Sequence, residues 1–140
     1  MSIGMIFHVT LKSFLKRESD GIYMNEMEKI ARENHRNGNN CSASLAMAFA
    51  EKLGVTPEEA KKSVPAPRSI DGKCGGYLSV VAMLEKLGVD KAGEYEKMFL
   101  EKNGSLYCKE LIASRAGTGR TCNDIVGEAA AMLDELMKNS

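Results

Sequence analysis

The chain has 140 residues, of which 44% are hydrophobic and 27% are charged, and its 19 basic and 19 acidic residues leave no net charge. This length and balance predict one globular domain with a single hydrophobic core. The lack of a basic excess argues against a nucleic-acid-binding protein. The longest apolar run, at 43–50, is much shorter than the roughly 20 residues that a membrane span needs.

The first 23 residues differ in pattern from the rest of the chain. Lys16 and Arg17 follow the apolar stretch 5–15, whereas a secretory signal places its basic residues before the apolar part. We therefore expect a bacterial cytoplasmic protein whose thiols are largely reduced. Met24 opens the regularly patterned part. We predict an N-terminal extension or misassigned start at 1–23 and a single helical four-cysteine domain at 24–140.

Hydrophobic residues recur at helical spacing along almost the whole domain, and the segments end at Gly, Asn or Pro. Residues 41–53 are apolar almost all round, which is typical of a buried central helix. The sequence Thr56-Pro57-Glu58-Glu59 matches a capping box and starts the next helix. No segment has a convincing strand pattern. The predicted fold class is all-α, a single-domain compact bundle of about six to seven helices.

One five-residue segment occurs twice. Residues 51–55 and 85–89 both read Glu-Lys-Leu-Gly-Val, and they follow Cys41 and Cys74 at nearly equal distances. This predicts an internal repeat of a helix pair. The alternative is coincidence in helix-end chemistry, because glycine after leucine commonly ends a helix.

Each of the four cysteines falls in the first turn of a predicted helix, and together they form the candidate site: Cys41, Cys74, Cys108 and Cys122. The predicted caps of three of these helices are Asn40, Ser105 and Thr121. Free backbone N–H groups and the helix dipole favour an anion there, so the thiol pKa is expected to fall. If successive helices alternate in direction, the four thiols meet at one end of the bundle. The alternative for each cysteine is a buried packing role.

Other residues near the cysteines have expected roles of their own. Lys73 and Arg120 are expected to raise the positive potential beside Cys74 and Cys122, or to be ordinary exposed charges. Tyr77 and Tyr107 would shield a cysteine, donate a hydrogen bond to it or simply pack. His35 is interpreted as a surface residue, with a metal-ligand role as the alternative.

The order of these motifs resembles a known family. It runs from Cys41 through Cys74-Gly75-Gly76 and Ser105-Leu106-Tyr107-Cys108 to Cys122. This order is similar to that of the redox-active protein family named for its C_GCAxxG_C_C signature. The resemblance covers about residues 25–138. Members typically show Cys-Gly-Ala-x-x-Gly, whereas Gly76 and Ser79 here replace the alanine and the last glycine, and both are small. The resemblance implies a redox or metal-related function carried by the cysteines.

Three functions remain open at this stage, and the first is thiol–disulfide chemistry. A helix-start thiolate can attack a disulfide, and a neighbouring cysteine can resolve the mixed intermediate. No Cys-x-x-Cys pair is present, so the working pair must form between helices. Cys41 and Cys74 would be the core, with Cys108 and Cys122 as resolving or additional thiols. The protein would then be a thiol oxidoreductase whose partner is a redox protein or a small thiol.

The second function is metal binding by the same four cysteines. Four thiolates suit zinc or an iron–sulfur cluster. The spacings of 33, 34 and 14 residues include none of the close pairs typical of such sites. The cofactor therefore stays open between none, an iron–sulfur cluster and zinc.

The third function is a non-catalytic helical binding module in which the cysteines are structural. Its methionines would line an adaptable groove or fill the core. These methionines are Met24, Met27, Met47, Met83, Met98, Met132 and Met137. A homodimer is compatible with all three functions.

Overall fold

A computed structural model of the protein describes residues 25–115 and 117–138. Within these residues the chain forms eight helices and no strand. They are α1 (Glu26–Arg36), α2 (Cys41–Ala48), α3 (Ala50–Leu53), α4 (Pro57–Lys62), α5 (Gly75–Leu87), α6 (Ala92–Asn103), α7 (Cys108–Ser114) and α8 (Cys122–Lys138). The all-α prediction is confirmed. The predicted extension at 1–23 lies outside the described residues, and the boundary at residue 24 stays a prediction.

The predicted helix at 41–53 consists of two helices, α2 and α3, which is why eight helices are present where six to seven were expected. The backbone of Phe49 leaves the α-helical region, with φ −101° and ψ 12°. Its N–H is shared between the carbonyl oxygens of Leu45 and Ala46, at 3.3 and 3.2 Å. The helical path then resumes, because the N–H of Leu53 bonds to the carbonyl of Phe49 at 3.0 Å.

Helix α2 lies at the centre of the fold, as its apolar sequence predicts. It packs against α1, α4, α5 and α8. Buried serines tie it to its neighbours. Ser42 Oγ donates to the carbonyl of Pro65 at 2.5 Å, and Ser79 Oγ of α5 donates to the carbonyl of Ser42 at 3.0 Å. These bonds satisfy polar groups in the core and fix α2 against α5, so the starts of both helices have defined positions.

The repeated pentapeptide forms the same helix stop twice. Gly54 and Gly88 both adopt the left-handed conformation, with φ 75° and 72°. The N–H groups of Val55 and Val89 then bond to the carbonyls of Ala50 and Leu84 at 3.1 and 3.0 Å. This is the Schellman motif, in which glycine avoids the steric cost of positive φ. Helix-end chemistry thus accounts for the shared sequence, and the internal repeat stays a prediction.

Helix α8 closes the fold with one apolar face. It contacts α1, α2, α5 and α6, and Ile125, Val126 and Leu133 are among its buried residues. One acidic residue of this helix, Asp134, is also buried, and it accepts a bond from the side chain of Asn25 at 2.9 Å. No helix in the described parts of the chain is long and apolar enough to cross a membrane.

The described methionines mostly serve the core. Met83 is fully buried, and four others pack against the core cluster: Met27, Met98, Met132 and Met137. Flexible thioether side chains fill irregular gaps between helices in this way. Met47 is half-buried and not part of this cluster, and Met24 lies outside the described residues. The alternative of a methionine-lined groove stays a prediction.

A four-cysteine cavity as the candidate functional site

The four cysteines line one small cavity, although they lie far apart in the sequence. The cavity has a volume of about 20 Å³, and its remaining lining residues are Leu111, Ile112, Arg115 and Ile125. This is room for about one water molecule. All four cysteines are free thiols; Cys74 is buried, and Cys41, Cys108 and Cys122 are half-buried. The expected meeting of the four side chains is therefore present in the fold.

Two of the cysteines stand at the first position of well-capped helices. Asn40 Oδ1 accepts a bond from the N–H of Ala43 at 2.7 Å, immediately around Cys41. Thr121 and Asp124 form a reciprocal cap beside Cys122, with bonds of 2.9 and 3.3 Å. These side chains satisfy free N–H groups of the first helical turn. The predicted caps Asn40 and Thr121 are correct.

The predicted start of the helix that carries Cys108 is wrong. Helix α7 begins at Cys108 itself, and its cap residue Tyr107 makes no side-chain capping bond. Ser105 instead accepts a bond from the N–H of Tyr107 at 3.0 Å and donates to Glu110 at 2.5 Å. The chain stays extended through Tyr107 because it pairs with another segment, which a local pattern does not reveal.

That pairing joins residues 72–74 to residues 106–108. The N–H of Cys74 bonds to the carbonyl of Leu106 at 2.7 Å, and the N–H of Cys108 bonds to the carbonyl of Gly72 at 3.0 Å. Lys73 and Tyr107 form the antiparallel bridge between the two bonds. Side chains alternate along extended chain, so Cys74 and Cys108 point to the face opposite to the bridge residues. The two bonds hold both cysteines at the cavity.

The sulfur of Cys41 lies close against the backbone at the start of α5. A Cβ at Gly75 would overlap Sγ of Cys41 and lie 2.9 Å from Cγ of Pro67. A Cβ at Gly76 would make only ordinary contacts, the nearest being Sγ of Cys74 and Cδ1 of Leu45 at 3.6 Å. Gly75 thus leaves the space that the Cys41 sulfur occupies. The close contact within this glycine motif is therefore at Gly75 and not at Gly76.

The environment drives the pKa values of Cys41 and Cys74 in opposite directions. A hydrogen bond from the Cys41 thiol lowers the pKa of Cys74 most, burial opposes this, and the backbone N–H groups of Tyr77 and Gly76 and the charge of Arg115 lower it further. The pKa of Cys41 is raised by that hydrogen bond, by burial, and by negative charge on Cys74 and Cys122. The environment therefore favours the thiolate on Cys74 and the protonated thiol on Cys41.

The cation at the cavity is Arg115, not the two basic residues expected from the sequence. Arg120 is engaged elsewhere, because its guanidinium binds both carboxylate oxygens of Glu128 at 2.7 Å. Lys73 lies over the ring of Tyr77, with Nζ 5.8 Å from the ring centroid. Arg115 stands seven residues after Cys108, which places both on one face of α7. This spacing is the sequence signal that could have identified it.

Two of the three tyrosines near the cysteines are buried and pack against each other, and the third is exposed. Tyr77 stacks on Tyr95, with ring centroids 5.7 Å apart, and its hydroxyl donates to Glu96 at 2.6 Å. The fully buried Tyr95 donates to the carbonyl of Gly76 at 3.1 Å. Tyr107 is 41% exposed. None of the three lines the cavity. The position of Tyr77 therefore fits the alternative of ordinary packing.

A network of charged and polar groups fastens the start of α8. Arg32 of α1 binds Glu28 at 2.7 Å and Asp124 at 2.9 Å, and it holds the pKa of Asp124 below its usual value. A Cβ at Gly127 would overlap this guanidinium. Asn123 donates to the carbonyl of Arg32 at 3.0 Å. The residues that follow Cys122 in α8 are thereby fixed to α1.

The alternative of metal binding has no matching geometry among the described residues. Within 25–115 and 117–138, no group of three or more His, Cys, Asp or Glu side chains is arranged to hold a metal ion. His35 is not part of the cavity lining. Its Nδ1 lies 3.2 Å from the amide nitrogen of Asn123, and burial together with the charge of Arg36 lowers its pKa.

Comparison with known proteins adds one finding. The family model described as "Putative redox-active protein (C_GCAxxG_C_C)" matches residues 39–136, a segment that includes all four cysteines. The chain belongs to this family. No curated protein and no solved structure gave a match. Membership in the C_GCAxxG_C_C family describes the chain in general terms as a redox-active protein. The four-cysteine cavity is the site at which that description has to be tested.

The family motif can now be compared with the geometry. Gly75 holds the position of the first glycine, where the Cys41 sulfur leaves no room for a Cβ. At Gly76 a Cβ fits, so the alanine typical of the motif and the glycine of this chain suit the same space. Ser79 replaces the last glycine, and its buried hydroxyl bonds to the carbonyl of Ser42 at 3.0 Å.

Proposed function

We propose that this protein is a bacterial cytoplasmic thiol oxidoreductase whose working pair is Cys41 and Cys74. The observation that carries the proposal is the cavity that all four cysteines line. Within it the environment lowers the pKa of Cys74 and raises that of Cys41. Thiolate is the attacking species in thiol–disulfide exchange, and its partner must stay close enough to resolve the mixed disulfide. A pair of this kind supplies both functions.

The first step is attack by the Cys74 thiolate on one sulfur of a substrate disulfide. The S–S bond of the substrate breaks, one substrate thiolate leaves, and a mixed disulfide forms on Cys74. This change removes the negative charge that raises the pKa of Cys41, and it also ends the hydrogen bond that Cys41 donates to a thiolate. Cys41 then loses its proton more readily, so the resolving thiol becomes active only after the first step.

In the second step the Cys41 thiolate attacks the sulfur of Cys74 and releases the second substrate thiolate. The two cysteines lose two electrons and form a disulfide, and the substrate disulfide gains those electrons and becomes two thiols. Cys108 and Cys122 line the same cavity. They are the thiols within the site that can exchange with the new disulfide. A cellular dithiol of ordinary reducing strength would return the pair to its thiol form.

The test combines disulfide mapping with single substitutions. The protein is purified anaerobically, its metal content and free thiols are measured, and it is treated with a small disulfide before peptide mapping. We expect four free thiols, loss of two on oxidation, their return with reductant, and a peptide link between Cys41 and Cys74. The variants C41S and C74S should lose this link, whereas C108S should retain it. Stoichiometric iron or zinc with protected thiols would instead establish the metal-binding alternative and overturn the proposal.

A further inference from the structure

The cavity carries one basic side chain, which raises the question of what its positive charge recognises. Arg115 directly follows helix α7 and is, among the described residues, the only basic residue in the lining of the four-cysteine cavity. In the described residues no carboxylate lies within 4.0 Å of its guanidinium, in contrast to Arg32 and Arg120, which are both engaged with acids. A half-buried guanidinium without a partner acid attracts an anion from solution.

The surroundings of Arg115 are apolar on one side. Ile112 precedes it by one helical turn, lines the cavity and is 49% exposed. Leu111 and Ile125 complete the apolar part of the lining. A cation beside exposed aliphatic surface complements a short carbon chain that ends in a carboxylate. The four sulfurs supply the group with which such a molecule would react.

The burial of the thiols indicates a slender reactant. Cys74 is only 6% exposed, and it lines the cavity together with the other three cysteines. A disulfide on the surface of a folded protein carries bulky neighbouring groups that hinder its approach to so recessed a thiol. A linear aliphatic disulfide lacks that bulk, so one of its sulfurs can approach Cys74 while an end group contacts Arg115.

We infer that the site acts on a low-molecular-weight aliphatic disulfide with carboxylate end groups, which Arg115 binds at the mouth of the cavity. This inference rests on the proposed thiol function and specifies its substrate class. The step is the exchange written above: the disulfide is reduced to two carboxylate-bearing thiols, and the protein dithiol is oxidised. Arg115 acts on the substrate end group and does not take part in bond breaking.

The test uses three disulfides of similar length that differ in charge: 3,3′-dithiodipropionate, which is anionic; bis(2-hydroxyethyl) disulfide, which is neutral; and cystamine, which is cationic. Fully reduced protein is mixed with each one, and the rate of thiol loss is followed. We expect the anionic probe to react about tenfold faster than the neutral one, as a single charge-assisted bond produces. The cationic probe should be slowest, and added salt should reduce the differences.

Substitution of the arginine separates binding from a general electrostatic effect. In R115Q the anionic and the neutral probe should react at about the same rate. R115K should retain part of the preference for the anionic probe. The matched control is K109Q, which removes an exposed charge from the same helix outside the cavity lining; its preference should equal that of the unchanged protein. Equal slowing of all three probes in R115Q would mean that Arg115 acts only on the Cys74 thiolate, and it would overturn the inference. A protein that reacts reversibly with none of the probes would overturn the proposed function itself.

Discussion

The sulfur of Cys41 lies where a side chain would stand at Gly75, so the absent Cβ of one residue makes room for the thiol of the other. This relationship links a backbone position of α5 to the chemistry of α2. It also distinguishes the roles of two adjacent glycines that look equivalent in the sequence. Gly75 is required for the approach of the thiol, whereas Gly76 has space to spare.

Alanine at these two positions should therefore have opposite effects. G75A forces a methyl group into the Cys41 sulfur and should lower the free energy of unfolding by about 1–3 kcal/mol. G76A removes backbone freedom from the unfolded chain without a clash and should raise that free energy by about 0.4–1 kcal/mol. Urea denaturation under reducing conditions measures both. A G75A variant as stable as G76A would contradict the geometry described.

The opposite pKa shifts of Cys74 and Cys41 predict how stability depends on pH under reducing conditions. A free cysteine has a pKa of about 8.5. Between the lowered pKa of Cys74 and that value, the unfolded chain binds a proton that the folded chain does not, so the free energy of unfolding rises with pH. Above about pH 8.5 the folded chain retains the proton of Cys41 that the unfolded chain loses, so stability falls.

Denaturation between pH 5 and pH 10 should therefore show a maximum in the free energy of unfolding, roughly centred on the ordinary cysteine pKa. C74S serves as the control, because it should lose the rising limb. Alkylation by iodoacetamide offers a second measurement, in which one thiol should react with a pH midpoint below about 8.5. Four thiols that all titrate at the ordinary value would show that the pair holds no thiolate.

Oxidation of Cys41 and Cys74 should stabilise the fold. The disulfide would close a loop of 33 residues, and a loop of this length restricts the unfolded chain enough to add about 2–4 kcal/mol. Thermal denaturation of the oxidised and reduced forms measures the difference. The variant C41S should show no such gain after the same treatment. An oxidised form less stable than the reduced one would indicate a different pair.

The network at the start of α8 predicts a structural role for Arg32. R32M leaves Glu28 and Asp124 without their partner, and the arginine side chain is only 11% exposed, so we expect a loss of about 1–3 kcal/mol. Because α8 is then held less firmly, Cys122 should be alkylated faster. The matched control is K61M, which breaks the more exposed ion pair with Glu58 and should cost less than about 0.5 kcal/mol. Equal losses in the two variants would count against the network.

Several features of the site were predictable because their signals are local. The caps at Asn40 and Thr121 depend on side chains within three residues, and the sequence placed Cys41 and Cys122 beside them correctly. The start of α7 was not predictable in this way. It depends on the pairing of Cys108 with Gly72, and these residues are separated by the whole of α5 and α6.

The charge beside Cys74 shows the same limit. Lys73 precedes Cys74 in the chain and is expected beside it, but its side chain lies over the ring of Tyr77. Arg120 is expected beside Cys122 for the same reason, but it is bound by Glu128. The cation that reaches the cavity is Arg115, which the fold of α7 brings there. Adjacency along the chain predicts caps well and predicts electrostatic partners poorly.

The cavity draws its sulfurs from four segments of the chain, and α8 carries the last of them. Since α8 packs on α1, α2, α5 and α6 together, Cys122 arrives only when the rest of the bundle is in place. The groups that lower the pKa of Cys74 come from α2, from the start of α5 and from Arg115 after α7. During synthesis Cys74 would therefore become a reactive thiolate only once Cys41 and Arg115 have both reached it, and the arrival of Cys122 would then raise the pKa of Cys41 further.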